Sequence, residues 1–134
     1  MSDSFFEDVG GHPAFDRIVR RFYEGIKSDD VLRPMYPEDL DGAVWRLTAF
    51  LEQYWGGPTT YSEERGPPRL RARHHAVRID DDARDRWLRH MTAAVDAEAL
   101  SPLHRETLMD YLDRAAHSMV NTMSDVNRGD RPAL

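Results

Sequence analysis

Two adjacent histidines, His74 and His75, close the basic run Arg69-Leu70-Arg71-Ala72-Arg73. From Arg65 to Arg78 the chain carries five arginines, these two histidines and no acid. Guanidinium neighbours disfavour a further positive charge, so an imidazole in this block stays neutral at pH 7, as a metal ligand must. Zinc fits poorly, because adjacent histidines point apart on a helix and no further ligand stands at a useful spacing. His12, His90, His104 and His117 are expected to be surface or hydrogen-bonded residues. Tyr23 follows Phe22 on one apolar stripe and Trp87 opens another, so burial of both rings leaves an O–H and an N–H in need of partners. Backbone carbonyls would satisfy them. Two donors aimed into one apolar cavity instead make sense where a polarised or anionic ligand arrives.

The elements that must position these groups read as helices. Phe15, Ile18, Val19, Phe22 and Ile26 form one apolar stripe, and Ala43, Leu47, Phe50, Leu51 and Tyr54 a second, stopped by Gly56-Gly57-Pro58. Trp87, Met91, Ala94 and Val95 form a third, opened by the acids Asp80-Asp81-Asp82, which suit an N-cap and the positive end of the helix dipole. Leu108, Leu112, Ala115 and Met119 form a fourth, opened by Ser101 with Pro102 at the first helical position. Strict apolar–polar alternation is absent, so the fold class is all-α. Arg33-Pro34-Met35-Tyr36-Pro37 admits one short turn, Gly57 to Pro68 reads as an extended loop, and residues 124–134 as a frayed tail. Periodicity alone favours a plain bundle with nothing inside it, since apolar stripes usually form a core.

A length of 134 residues suits one domain, 1–134, and the 40% apolar and 31% charged fractions are ordinary for a water-soluble chain. Without cysteine there is no disulfide framework, thiolate metal site or catalytic thiol. The acidic start Met1-Ser2-Asp3-Ser4-Phe5-Phe6-Glu7-Asp8 lacks signal-peptide character and no apolar run approaches a membrane span, so the expected location is cytoplasmic. A net charge of −6 opposes nucleic-acid binding, and the arginine block has no interleaved aromatics. That block still calls for an anionic partner.

Several stretches, in collinear order over residues 5 to 121, resemble the group II truncated haemoglobins. They are Val9-Gly10-Gly11, Phe22-Tyr23, Val31-Leu32-Arg33-Pro34-Met35-Tyr36-Pro37-Glu38-Asp39, Phe50-Leu51-Glu52-Gln53-Tyr54-Trp55-Gly56-Gly57-Pro58 and Tyr61-Ser62-Glu63. Arg69-Leu70-Arg71-Ala72-Arg73-His74, Trp87-Leu88-Arg89 and Ala115-Ala116-His117-Ser118-Met119-Val120-Asn121 complete the set. Each motif is weak alone, and the ordered set is specific. The chain departs from the family pattern in the link from Tyr36 to Ala43, which is one residue shorter than expected, at Trp45, where an acidic surface residue is expected, and at His75, a second histidine beside the first.

The resemblance implies a two-over-two helical sandwich around haem b, with a long loop before the proximal helix. It implies His74 as the iron ligand, with Tyr23, Tyr36 and Trp87 as distal donors. Ala43 falls at the small distal gate, with Leu47 and Phe50 covering the macrocycle, and Arg73, Arg46 and Tyr61 fall where the family contacts the haem propionates. Two carboxylates would give the arginine block its anionic partner. One imidazole bond leaves a five-coordinate ferrous iron open to O₂, CO or NO, and neither Ala43 nor Leu47 can fill the sixth position. Two or three donors around a charge-accepting ligand slow its release, which suits scavenging, sensing, NO oxidation or peroxidase-like turnover better than bulk oxygen transport. Turnover would need an electron donor such as a reductase, and the resemblance leaves homodimer formation open. The alternative from another class is a haem-free helical interaction module on the globin scaffold.

Overall fold

A computed structural model of the chain describes residues 4–66 and 78–121. Arg73, His74, His75 and the tail 124–134 lie outside the described residues. Those described are helical, with α1 at Phe5–Asp8, α2 at Gly11–Lys27, α3 at Asp41–Tyr54, α4 at Thr60–Arg65, α5 at Asp81–Asp96 and α6 at Pro102–Ser118. A 3₁₀ turn spans Arg33–Met35, the one short turn that Pro34 and Pro37 permit. No strand occurs among the described residues.

The caps explain where the helices begin. Asp80 accepts the Ala83 amide and Ser101 accepts the His104 amide, each satisfying one orphan donor of a first turn. Gly10 (φ +118°) and Gly11 (φ +67°) turn α1 into α2 through backbone regions that L side chains rarely enter. On α2 the stripe Phe15, Ile18, Val19, Phe22 and Ile26 is almost wholly buried. Each such side chain contributes about 1.5–3 kcal/mol, which outweighs the roughly 0.5–1 kcal/mol that Gly25 costs inside the same helix. α2 packs against both α3 and α5, and α6 lies against α5. Two helix pairs thus meet along the α2–α5 contact, which is the expected two-over-two arrangement.

Two expectations need correction. The stretch from Gly57 to Pro68 is not wholly extended, because α4 occupies Thr60–Arg65. Its turn is held from outside: Gln53 accepts the Ser62 amide at 3.0 Å and donates to the Ser62 hydroxyl at 2.7 Å, while Tyr61 is buried against Phe50. Tyr54, placed on the core stripe of α3, is instead 53% exposed. It sits on the last turn of its helix, where its ring stacks on Tyr111 of α6 rather than on α2.

Candidate functional site

The helices enclose a cavity of about 420 Å³, within the usual range of small-molecule and cofactor pockets. α2 supplies Tyr23, and the 3₁₀ turn and its exit supply Met35 and Tyr36. α3 supplies Ala43, Arg46, Leu47, Phe50 and Leu51, and α4 supplies Tyr61. α5 supplies Ala83 and Trp87, and α6 closes the far side with Tyr111, Leu112, Ala115 and Ala116. Tyr23, Tyr36, Ala43, Arg46, Leu47, Phe50, Tyr61 and Trp87, all singled out in the sequence, therefore line one space. Arg73 and His74 lie outside the described residues.

Three of the cavity's polar side chains, Tyr23, Tyr36 and Trp87, gather on one wall. The Tyr23 and Tyr36 rings meet edge to face at 5.5 Å, and Phe22 touches both Tyr23 and Trp87, at 5.0 and 5.3 Å. Burial pushes the Tyr36 phenol up to about 12, against the opposing effect of the Trp87 N–H donating to its oxygen. Burial also holds the Tyr23 phenol well above its ordinary value; the neighbouring Tyr36 adds to this and Arg46 opposes it. Both hydroxyls keep their protons at neutral pH, and with the Trp87 indole they form a set of three neutral donors. Arg46, Arg65 and Arg84 line the same cavity. An apolar slot with hydroxyl and indole donors on one wall and guanidiniums in its lining fits a flat apolar macrocycle that carries carboxylates and takes a small polar ligand. Among the described residues no group of three or more His, Asp or Glu is placed to hold a metal ion by itself.

The sequence model of the bacterial-like globins matches residues 4–121. This chain belongs to that family, as a group II truncated haemoglobin. The truncated haemoglobin is 40% identical over 124 residues to group 2 truncated hemoglobin YjbI of Bacillus subtilis, covering 90% of this chain and 93% of that one. The crystal structure of a thermostable hemoglobin from the actinobacterium Thermobifida fusca superposes with a TM-score of 0.87 at 57% identity, over 89% of this chain and 98% of the other. The group II truncated hemoglobin of Bacillus anthracis superposes with a TM-score of 0.88 at 35% identity, over 92% of this chain and 100% of the other. Membership carries the cofactor and the ligand class with it: the truncated haemoglobin is a haem protein that binds diatomic gases. None of its described helices is long and apolar enough to cross a membrane.

The structure of this truncated haemoglobin also contains site-supporting residues that sequence reasoning missed. Asp29, in the turn after α2, is buried and accepts the Val31 and Leu32 amides at 2.9 and 3.0 Å. Its carboxylate also takes Nε2 of His90 at 2.8 Å and a guanidinium nitrogen of Arg86 at 3.2 Å. Burial would raise this carboxyl, and the bonds from His90, Leu32, Val31 and Arg86 overcome that and hold it near 2. Asp29 thereby ties the segment leading to Tyr36 to the helix that carries Trp87. Gly25 lets those helices close up, since a Cβ there would stand 2.5 Å from Nδ1 of His90. At the cavity lining, Ile79 and Asn121 clasp each other: the Ile79 amide donates to the Asn121 side chain and the Asn121 amide to the Ile79 carbonyl. The four histidines expected to be surface or satisfied residues all have partners. His12 meets Glu52, His90 meets Asp29, His104 meets Ser101 and His117 meets the Asp113 carbonyl.

Proposed function

We propose that the truncated haemoglobin anchors its iron through His74, releases oxygen slowly, and serves redox chemistry such as NO oxidation or peroxide turnover rather than bulk transport. One observation carries the reading: three neutral donors, Tyr23, Tyr36 and Trp87, share one wall of a cavity whose remaining lining is mostly apolar. When bound, haem supplies an iron with an open position for O₂, CO or NO. Tyr36 and Trp87 are already linked through the indole N–H, which keeps these two donors together on that wall. Ala43, small and buried, leaves room in the lining, while Leu47 and Phe50 present apolar surface beside it. Arg46, Arg73 and Tyr61 would hold the two propionates. The similar truncated haemoglobin of Bacillus subtilis, 38% identical, is oxygen-avid, which agrees with slow release.

The test is spectroscopic. Haem-loaded protein should show a Soret band and, once reduced, a five-coordinate high-spin spectrum at pH 7. His74→Ala should abolish haem retention, whereas His75→Ala should leave the spectrum near normal. The opposite pattern would move the ligand to His75 and overturn the assignment.

A further inference from the structure

Six aromatic rings line the cavity, those of Tyr23, Tyr36, Phe50, Tyr61, Trp87 and Tyr111. Tyr111 differs from the other five in that it also belongs to a second aromatic cluster. Its ring stacks on Tyr54 with centroids 4.0 Å apart and planes 28° from parallel, and both touch Trp55 edge-on, at 5.5 and 5.0 Å. Tyr54 is 53% exposed. Among the described residues, this stack is the ring contact that joins the cavity lining to an exposed aromatic side chain. The remaining ring contacts of the lining lead to buried or half-buried rings.

Tyrosine and tryptophan are the side chains most readily oxidised by one electron in a protein without cysteine, and electron tunnelling decays exponentially with distance. Two phenol rings stacked with centroids 4.0 Å apart therefore offer a short step from the cavity lining to an exposed side chain. We propose that Tyr111 and Tyr54 relay single electrons from the surface into the cavity, and that Tyr54 is a surface oxidation site for small phenolic reductants when hydrogen peroxide is the oxidant. The proposal rests on haem binding in the cavity. Tyr111 acts as the bridge. Burial pushes its phenol up to about 12, and the nearby Arg114 charge disfavours a cation on its ring. The electron deficit therefore settles on Tyr54, whose proton passes directly to water. One peroxide takes two electrons and two protons and becomes two waters. Each phenol supplies one electron and releases one proton, so two reductant molecules are consumed per peroxide. Without an external reductant, two Tyr54 phenoxyl radicals on separate chains join through a carbon–carbon bond, again balancing one peroxide against two waters.

The experiment treats haem-loaded protein, its Soret band first verified, with one equivalent of peroxide and maps dityrosine by fluorescence and peptide mass spectrometry. Covalent dimers joined at Tyr54 are expected, and guaiacol should suppress them while being oxidised itself. Tyr54→Phe should abolish the dimers. Tyr111→Phe should lower their yield severalfold, and Tyr111→Trp, which restores an oxidisable ring, should recover it. Trp45→Phe, at another exposed aromatic outside the relay, should change nothing. Cross-links mapping to other tyrosines, or a Tyr54 yield indifferent to Tyr111→Phe, would overturn the relay. An absent Soret band would count instead against haem binding.

Discussion

Replacing Trp87 by phenylalanine tests the donor wall most directly. The substitution keeps an aromatic ring against Phe22, whose centroid lies 5.3 Å away, and removes the indole N–H. A hydrogen bond to a neutral acceptor is worth about 0.5–1.5 kcal/mol net and one to a charge-bearing acceptor about 1.5–3 kcal/mol. At about 1.4 kcal/mol per decade, loss of a charge-assisted bond should raise the oxygen dissociation rate roughly 10- to 150-fold. The measured rise should sit toward the lower end, because Tyr36 loses the Trp87 N–H from its oxygen and becomes freer to turn its own proton to the ligand. That compensation is itself measurable. In a cycle with Tyr36→Phe, the double variant should release oxygen faster than the two single effects multiplied, with a coupling of about 0.5–3 kcal/mol. Stopped-flow replacement of O₂ by CO reads each rate. Release within twofold of wild type in both single variants and the double would refute the donor-wall account.

Two further expectations concern the supports of that wall. The Asp29 carboxyl lies below its ordinary value, so its stabilisation is fully present above about pH 4 and is lost as pH falls toward 2. Asp29→Asn should flatten the acid limb of a thermal-midpoint profile between those values, and an unchanged limb would count against the buried clamp. Gly25→Ala ordinarily gains about 0.5–1 kcal/mol in a helix, but here the new methyl meets the His90 ring at 2.5 Å. Because Asp29 pins that ring, overpacking at about 1–3 kcal/mol should win and the thermal midpoint should fall by several degrees. A rise would show that His90 yields freely.

How much of this was legible in the residues depends on the range over which each feature is decided. The α2 stripe and the Asp80 and Ser101 caps follow from local spacing and chemistry, and each has its expected form. α4 was missed because Pro58 and Gly66 bracket it and its support comes from Gln53, on the preceding helix, and from the Thr59 hydroxyl donating to Glu63 four residues on, which is not the capping-box spacing. Tyr54 continues the α3 period, yet a period does not say where the partner helix ends. The cavity residues were named through resemblance, since no local pattern distinguishes Tyr23 from a tyrosine bonded to a backbone carbonyl. Asp29 carried no such signal. As one acid in Ser28-Asp29-Asp30 it reads as a solvated turn residue, and its partners Arg86 and His90 lie 57 and 61 positions away. His90 was expected to be a satisfied histidine, and it is. Its partner, however, is a buried carboxylate shared with the amides that begin the approach to Tyr36, three residues beyond the turn of α5 that carries Trp87. A role of that kind exists only once α2 and α5 have closed over Gly25.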